Sequence, residues 1–446
     1  MDPIPGSALT AEARARVLID AQLEAAGWLV QDTKQLNLSA GAGIARREAI
    51  MGTGHGRADY LLYLDKRVAG VIEAKPIGTP LSGVEWQSAM YATGLPAEVR
   101  LSATTKDGRL PFAFEASGSE THFTNGLDPE PRARRLFNFP RPETLARILR
   151  DLADDAKNPT WRGEVQHLPA LRIEPLRPAQ VTAITAIEKS LAKQRFERSL
   201  VQMATGAGKT YTAVTECYRL LRYGGFRRIL FLVDRNNLAD QTMSEFRAYR
   251  APDDGRLFTD VYAVDKLRSA GLLGSSEVVI STIQRVFKAL KNEDVATDDD
   301  PTLDDFVPDN PVSVTYNPNL PPETFDLVIV DEAHRSIYGV WRGVLEYFDA
   351  HIVGLTATPG KQTFAFFLQN LVSEYTYPQS VADRVNVDFD IYRIRTQERT
   401  QDKALGALVE GKPEFRSRYM PSQSQRPSAR SPSGGTSRSG PRAFGS

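Results

Sequence analysis

The run SLVQMATGAGKT at residues 199–210 constrains the fold of this chain more than any other segment. A β-like stretch leads into a glycine-containing loop, and the loop opens a segment with helical spacing. Gly206 and Gly208 allow backbone N–H groups to converge on phosphate oxygens, and a helix N-terminus adds favourable partial charge. The pattern predicts a phosphate-binding loop in which Lys209 reaches the β- and γ-phosphates and the Thr210 hydroxyl holds Mg²⁺.

A second run, FDLVIVDEAH at residues 325–334, ends an apolar strand on two acids. Open α/β sheets bind ligands at the carboxyl ends of their strands, so Asp331 and Glu332 are expected near the phosphate loop. There Asp331 would hold Mg²⁺ through water, and Glu332 would polarise the attacking water. An isolated acidic pair after a strand is usually a solvated turn. The phosphate loop before it and GLTATP at 354–359 after it favour the catalytic interpretation.

Strand-like and helix-like segments alternate from residue 177 onward, which is typical of a parallel α/β sheet. The strand candidates are Leu200–Ala204, Ile229–Val233, Val278–Ser281, Leu327–Val330 and Ile352–Leu355. A helix is expected over Thr210–Arg222, ending at Gly224–Gly225. Another is expected over 10–26, ending at Gly27. The buried face of this first helix is predicted to consist of Ala15, Leu18, Ile19 and Leu23.

Composition excludes several classes of protein. The chain has 446 residues, 41% hydrophobic and 25% charged, which excludes collagen-like and wholly disordered chains. Lys+Arg and Asp+Glu both number 55, so any nucleic-acid contact must come from local patches or partner subunits. No stretch reaches the roughly 18 apolar residues of a membrane span. The single cysteine, Cys217, fits a reducing compartment, so we expect a cytoplasmic globular chain in which this residue serves packing.

A third group of polar residues lies in the N-terminal part. GRAD at 56–59 leads into a β-like run over 60–64, and VAGVIEAK follows at 68–75. If residues 65–67 form a three-residue hairpin turn, Leu64 pairs with Val68, and Asp59 falls directly opposite Glu73. Facing carboxylates destabilise a sheet unless a shared cation compensates, and Mg²⁺ would do so. Alternation along the strand puts Lys75 on the same face as Glu73.

The motifs together resemble those of superfamily 2 helicases and translocases. ATGAGKT (in a shorter form that begins at Ala204), DEAH and TATP are similar to motifs I, II and III, and LRPAQ at 176–180 resembles the adenine-reading element. The resemblance implies that Gln180 contacts the base. It implies that the other nucleotide-binding residues are Thr205, Gly206, Ala207, Gly208, Lys209, Thr210, Asp331, His334, Thr356 and Thr358. The longer run from Asp331 to Pro359 resembles the restriction (R) subunit of type I restriction–modification enzymes.

This second resemblance implies a restriction-endonuclease-like nuclease with a D…ExK core. Asp59 and Glu73 would then ligate the metal, and Lys75 would orient the attacking water. QSAMY resembles the Q-x-x-x-Y motif that follows this core in a subgroup of such nucleases, which adds Gln87 and Tyr91 as candidate catalytic residues. An acid of the first helix, Asp20 or Glu24, is expected to assist.

The resemblance also implies an organisation and a function. The fold class expected is α/β, with a nuclease domain at 1–155, a linker at 156–176 and a RecA-like ATP-binding domain at 177–378. An incomplete second RecA-like domain would follow at 379–411 and a low-complexity disordered tail at 412–446. The function implied is ATP-dependent translocation and Mg²⁺-dependent cleavage of unmodified double-stranded DNA, with modification (methyltransferase) and specificity subunits as partners and no membrane. Without the later motor motifs, including an arginine that stabilises the transferred phosphoryl group, we expect a motor-defective chain.

Two other functions remain open from the sequence. One is a nuclease–helicase fusion in DNA repair or phage defence without methyltransferase partners, and the other is a non-catalytic remnant. A basic cluster (Arg132, Arg134, Arg135 and Arg141) could contact DNA phosphates or form a solvated face.

Overall fold

The computed structural model describes residues 11–51, 56–81, 96, 103–104, 110–154, 158–193, 195–267, 273–293, 314–336 and 341–389. The described residues up to Ser380 belong to one compact unit, and residues 381–389 belong to a second. Gln87, Tyr91 and the predicted tail at 412–446 lie outside the described residues, as does most of the predicted start of a second RecA-like domain.

The N-terminal part of the first unit contains a seven-stranded mixed sheet with its strands in sequence order. The strands are β1 (Leu29–Gln31), β2 (Gly43–Ile50), β3 (Arg57–Leu64), β4 (Arg67–Ala74), β5 (Phe112–Ala116), β6 (Thr121–Asn125) and β7 (Arg134–Leu136). β1 and β2 pair in parallel, as do β4 and β5, and the other neighbours are antiparallel. Only β3 and β4 had been predicted as strands, and both are buried on their two faces.

The β3–β4 hairpin has the predicted register near its open end but a different turn. Leu64 pairs with Arg67, so the predicted pairing of Leu64 with Val68 is wrong. Asp65 and Lys66 have φ values of 47° and 68°, the left-handed conformation that a two-residue hairpin turn requires. The register shifts by one residue between Tyr63 and Leu62. From Leu62 to the open end of the hairpin, the two strands therefore pair as predicted.

Helix α1 (Ala11–Ala25) packs beside this sheet, and the predicted stop residue Gly27 follows its end with a φ of +89°. Ala15, Ile19 and Leu23 are buried, whereas Leu18 is 43% exposed, so its predicted place in the core is wrong. Leu18 instead lies over Gly118 in the loop between β5 and β6. A second helix, α2 (Pro142–Asp154), contributes Leu145 to the same core.

The second sheet has seven strands, all parallel. They are β8 (Arg198–Met203), β9 (Ile229–Leu232), β10 (Val264–Lys266), β11 (Val278–Ser281), β12 (Leu327–Val330), β13 (His351–Thr356) and β14 (Leu371–Tyr375). The spatial order is β10-β11-β9-β12-β13-β8-β14. The parallel α/β fold class is confirmed, and the five predicted strands agree with it to within two residues at each end. The two edge strands, β10 and β14, were not predicted.

Helices cover the parallel sheet, and its strands supply an almost continuous apolar core. The described helices of this part are α3 (Trp161–Glu164), α4 (Pro178–Lys193), α5 (Lys209–Tyr223), α6 (Asn236–Ala248), α7 (Phe258–Val261), α8 (Ile283–Leu290), α9 (Ala333–Ser336), α10 (Arg342–Leu345), α11 (Lys361–Phe366) and α12 (Tyr377–Ala382). Cys217 is fully buried on α5 within this core, as expected for a packing residue. Among the described helices, none is both long and apolar enough to cross a membrane.

Ion pairs join the two sheets within the first unit. Arg134 donates two hydrogen bonds to Asp349, at 2.8 and 3.0 Å. Burial opposes ionisation of Asp349, but the attraction and hydrogen bonds of Arg134 hold the pKa of that carboxyl below its usual range. Arg141 pairs with Glu323 at 3.0 Å. Arg134 is only 11% exposed, so the interpretation as a solvated face is wrong for this residue, whereas Arg141 is 40% exposed. A DNA contact of the basic cluster stays a prediction.

Candidate functional site

Strands β3 and β4 bring the predicted nuclease residues together. The ladder pairs Tyr60 with Ile72, and one further step places Asp59 opposite Glu73. Asp59 is 9% exposed, and its Oδ2 accepts a hydrogen bond from the Ala74 N–H at 2.8 Å. The backbone of β4 therefore fixes the orientation of the Asp59 carboxylate.

Glu73 is buried, and its two carboxylate oxygens have different surroundings. The Lys75 ammonium donates a hydrogen bond to Glu73 Oε1 at 3.0 Å. Glu73 Oε2 is buried and accepts no hydrogen bond from any residue that the structure describes. Burial raises the pKa of Glu73 above its ordinary value, the Lys75 hydrogen bond opposes this, and the charge of Asp59 adds to the rise.

This pair of carboxylates fits a hard divalent cation. In the described part of the chain, no three His, Cys, Asp or Glu side chains converge closely enough to hold a metal. Mg²⁺ does not require three, since it is commonly held by one or two carboxylates and keeps several waters. The buried, open Oε2 of Glu73 beside Asp59 is the feature that fits such an ion.

Neither acid of helix α1 named from the sequence has a contact that tests its assisting role, which stays a prediction. Asp20 accepts hydrogen bonds from Arg47 at 2.8 and 3.2 Å and from the Tyr60 hydroxyl at 2.8 Å, and Glu24 is exposed. The α1 acid whose charge acts on Glu73 is Glu12, which contributes to the rise in the Glu73 pKa.

An arginine of the same helix, Arg16, binds Asp59 Oδ1 at 2.5 Å. Sequence reasoning found neither Arg16 nor Glu12. No local pattern connects α1 to a strand more than 40 residues away.

The phosphate loop follows β8 with the conformation that its glycines allow. Gly206 and Gly208 have φ values of +79° and +90°. A Cβ at Gly208 would lie 2.5 Å from Gln180 Nε2, so the loop packs closely on that side chain. Gln180 is buried, its amide donates to the Gly208 carbonyl at 3.2 Å, and it accepts from the Arg177 N–H at 2.8 Å. Here Gln180 fastens the start of α4 to the loop, and its contact with a base stays a prediction.

The predicted nucleotide-site residues at the ends of β8 and β12 meet at this loop. The Lys209 ammonium lies 3.1 Å from Glu332 Oε1. Burial, together with the charge of Glu332, raises the pKa of Asp331 to about 6, and Lys209 opposes the rise. Glu332 has a φ of 48°, a costly conformation for a non-glycine residue and one found mostly at functional sites. Its N–H donates to Asp331 Oδ1 at 3.0 Å.

The remaining predicted residues complete the same edge of the sheet. His334 Nδ1 and Thr356 Oγ1 are 2.9 Å apart, so the DEAH and TATP segments are in direct contact. Thr356 Oγ1 also accepts from the Thr358 N–H at 3.2 Å. In the loop, Thr205 is exposed and Ala207 is buried, and the half-buried Thr210 lies in the first turn of α5.

A cavity of about 940 Å³ runs along α5 from Tyr211 to Tyr223. One wall is the segment 169–176, and the other comes from the residues that follow α6. Its aromatic lining consists of Tyr211, Tyr218, Tyr223 and Tyr249. Sequence analysis missed this cavity, since three of the tyrosines lie on α5 and Tyr249 follows α6, and no local pattern connects the two segments.

Comparisons with known proteins show which families this chain is similar to. Residues 173–361 match the family model described as "Type III restriction enzyme, res subunit". The chain is 28% identical over 443 residues to the type I restriction enzyme EcoKI endonuclease subunit of Escherichia coli (strain K12), an alignment that covers 85% of this chain. This chain is a relative of type I restriction endonuclease subunits.

The type I relatives are much longer than this chain. The alignment with the EcoKI subunit covers 35% of that protein. The type I restriction enzyme EcoAI endonuclease subunit of Escherichia coli is 26% identical over 387 residues, covering 82% of this chain and 41% of that protein. The chain thus spans less than half of either type I relative. Among solved structures, the Pyrococcus furiosus Hef helicase domain aligns with a TM-score of 0.30 and 20% identity, over 46% of this chain and 40% of that one.

Proposed function

We propose that this chain cleaves double-stranded DNA in a Mg²⁺-dependent reaction and binds ATP at a separate site, as part of a type I restriction system. The observation that carries the proposal is the buried pair Asp59 and Glu73, with Lys75 on Glu73, in a chain that also has Lys209 and Glu332 in contact. The domain bounds at 1–155 and 177–378 are part of the same proposal.

In the nuclease centre, Asp59 and Glu73 would hold the ion through hard oxygen ligands. A bound Mg²⁺ would supply Lewis-acid stabilisation of the scissile phosphate and of its leaving oxygen. Lys75 already has its ammonium directed at this centre, 3.0 Å from Glu73, where it can orient an attacking water and balance developing negative charge. Gln87 and Tyr91 remain candidate residues of this centre by resemblance.

In the nucleotide centre, the loop 204–208 and the start of α5 would cradle phosphates through backbone N–H groups. Lys209 would leave Glu332 for a phosphate oxygen, and Glu332 would then be available to polarise water. Thr210 and Asp331 would hold Mg²⁺. Because His334 contacts Thr356, a shift of His334 on nucleotide binding would be transmitted directly to β13.

Modification and specificity subunits are proposed as partners because the type I relatives are named as endonuclease subunits of restriction enzymes. A nuclease–helicase fusion that acts alone is the competing proposal. Co-expression and co-purification with the methyltransferase and specificity subunits of the same system separates them. Stable association in the presence of 0.5 M salt would favour the restriction system, and elution of the chain alone would favour the fusion.

The experiment for the cleavage proposal is nicking of supercoiled double-stranded DNA with Mg²⁺ or with a chelator. The wild-type chain should nick only with Mg²⁺, and Glu73→Gln should not. Glu120→Gln is the matched control, since Glu120 is an acid of the same part of the chain whose side chain is 42% exposed. Equal nicking by Glu73→Gln and the wild type would contradict the proposal.

A further inference from the structure

Helix α1 directs Arg16 at the proposed nuclease centre. Its guanidinium donates a hydrogen bond to Asp59 Oδ1 at 2.5 Å, the shortest of its three carboxylate contacts. We propose that Arg16 occupies the Asp59 carboxylate in the metal-free chain, yields it to an entering divalent cation, and thereby sets the metal affinity of the centre. This inference rests on the proposed nuclease function.

Arg16 is not needed to orient the carboxylate that it covers. Asp59 Oδ2 is already held by the Ala74 N–H, which belongs to the rigid backbone of β4. Removing Arg16 should therefore leave Asp59 in place while removing a positive charge. A positive charge on a metal ligand opposes cation binding by direct repulsion and by competition for the same oxygen.

Arg16 also has two other carboxylate partners. Its guanidinium lies 2.7 Å from Glu12 and 3.3 Å from Glu48, and both acids are about half exposed. Exposed ion pairs exchange at little cost in free energy. Arg16 can therefore shift from Asp59 onto Glu12 and Glu48 without leaving an unpaired buried charge, and the shift frees Oδ1 for the ion.

The two cations of the centre differ in this respect. Lys75 directly follows the strand that carries Glu73 and contacts a carboxylate whose second oxygen accepts no hydrogen bond from the described residues. Glu73 can thus bind an ion while it keeps Lys75. Arg16 and an ion compete for Asp59, so Arg16 is the group that controls occupancy.

The test is Mn²⁺ binding to the full chain without DNA or nucleotide, measured from the electron paramagnetic resonance of free Mn²⁺. Glu73→Gln defines the part of the signal that belongs to this centre. Arg16→Met should tighten that binding by about tenfold, since removing one unit charge beside a divalent ion in a largely water-like dielectric is worth about this factor. Arg132→Met, which removes an exposed arginine elsewhere, should leave Kd unchanged. Unchanged or weaker Mn²⁺ binding by Arg16→Met overturns the inference.

A second set of variants keeps the inference testable if Arg16→Met is unstable. Glu12→Gln with Glu48→Gln removes the alternative partners, so Arg16 should remain on Asp59 and Mn²⁺ should bind at least threefold more weakly. In an Arg16→Lys background, in which the shorter side chain reaches Asp59 poorly, the same pair of changes should have a smaller effect. An equal effect in both backgrounds refutes the role of Arg16. If Glu73→Gln and the wild type bind Mn²⁺ equally, the proposed metal centre itself is wrong.

Discussion

Asp331→Asn should stabilise the fold while it removes a metal ligand. Asp331 directly follows β12 and lies beside Glu332, and burial with that like charge raises its pKa to about 6. An unfolded chain would have the ordinary aspartate value of about 4. The folded chain therefore takes up a proton before the unfolded chain does as the pH falls. The ionised Asp331 carboxylate consequently lowers the free energy of unfolding at neutral pH. This destabilisation disappears as the pH falls from 8 towards 4, because the folded chain then binds the proton.

The size of the effect follows from the difference between the two pKa values. Two pKa units correspond to about 2 to 3 kcal/mol at pH 8, and roughly half of that remains at pH 5. Asparagine has nearly the same shape, and its Oδ1 can still accept the hydrogen bond from the Glu332 N–H. Lys209 keeps its partner Glu332 in the variant. The neutral side chain should thus recover most of this free energy.

The assay is urea unfolding of wild type and variant at pH 8 and pH 5, followed by tryptophan fluorescence. The variant should be more stable at both values, with the larger gain at pH 8, and should lose Mg²⁺-dependent nucleotide binding. Asp254→Asn is a control of opposite sign, because the hydrogen bonds of Arg256 lower the pKa of the exposed Asp254. A variant less stable than wild type at pH 8, or a gain that grows as the pH falls, would refute the reasoning.

Three further changes test other parts of the account. Gly208→Ala should lower nucleotide affinity at least tenfold and reduce the free energy of unfolding by about 1–3 kcal/mol, because Gly208 has a positive φ and a Cβ there would contact Gln180. The control Gly255→Ala, at φ +74° with open space around it, should reduce the free energy of unfolding by only about 1 kcal/mol and leave nucleotide binding intact. Arg134→Met should destabilise the chain by about 3–5 kcal/mol in urea unfolding, because it leaves the Asp349 carboxylate without its partner, whereas the exposed Arg132→Met should fall within about 0.5 kcal/mol of wild type. Tyr211→Leu should weaken binding of a fluorescent ATP analogue several-fold and Tyr211→Phe should not, if the cavity beside α5 receives the base; equal affinities would place the base elsewhere.

The strands and loops that carry the candidate nucleotide-site residues could be predicted because their signals are local. A strand, a glycine loop and a helix follow one another within about a dozen residues, and the parallel fold brings the ends of β8, β12 and β13 to one edge. Short-range patterns of this kind survive in a single sequence. The same reasoning missed β10 and β14, which are short or half-buried edge strands with little apolar periodicity.

The turn and the strand pairing of the N-terminal sheet are not determined by local sequence patterns alone. The alignment of Asp59 with Glu73 was predicted through a three-residue turn, and the structure reaches it through a two-residue turn followed by a register shift. Two compensating local features gave the same alignment. Strand β2 was not predicted, although its pairing with β3 covers nearly the whole of both strands.

Long-range ion pairs were not predictable from the sequence. Arg134 and Asp349 are 215 residues apart, and nothing near either residue marks the other. The same holds for Arg16 and Asp59, which are 43 residues apart. Such partners are selected by the packing of whole elements, so a basic cluster looks like a nucleic-acid patch until its carboxylates are located.

The central claim is that one chain carries two separate centres, one for cleavage and one for nucleotide. The most direct test measures both properties on two variants, with nicking assayed in Mg²⁺ without nucleotide and ATP-analogue binding assayed without DNA. Glu73→Gln should lose nicking and keep wild-type affinity for nucleotide, and Lys209→Met should lose nucleotide binding and keep nicking. Nicking that survives in Glu73→Gln, or nucleotide binding that survives in Lys209→Met, would contradict the account.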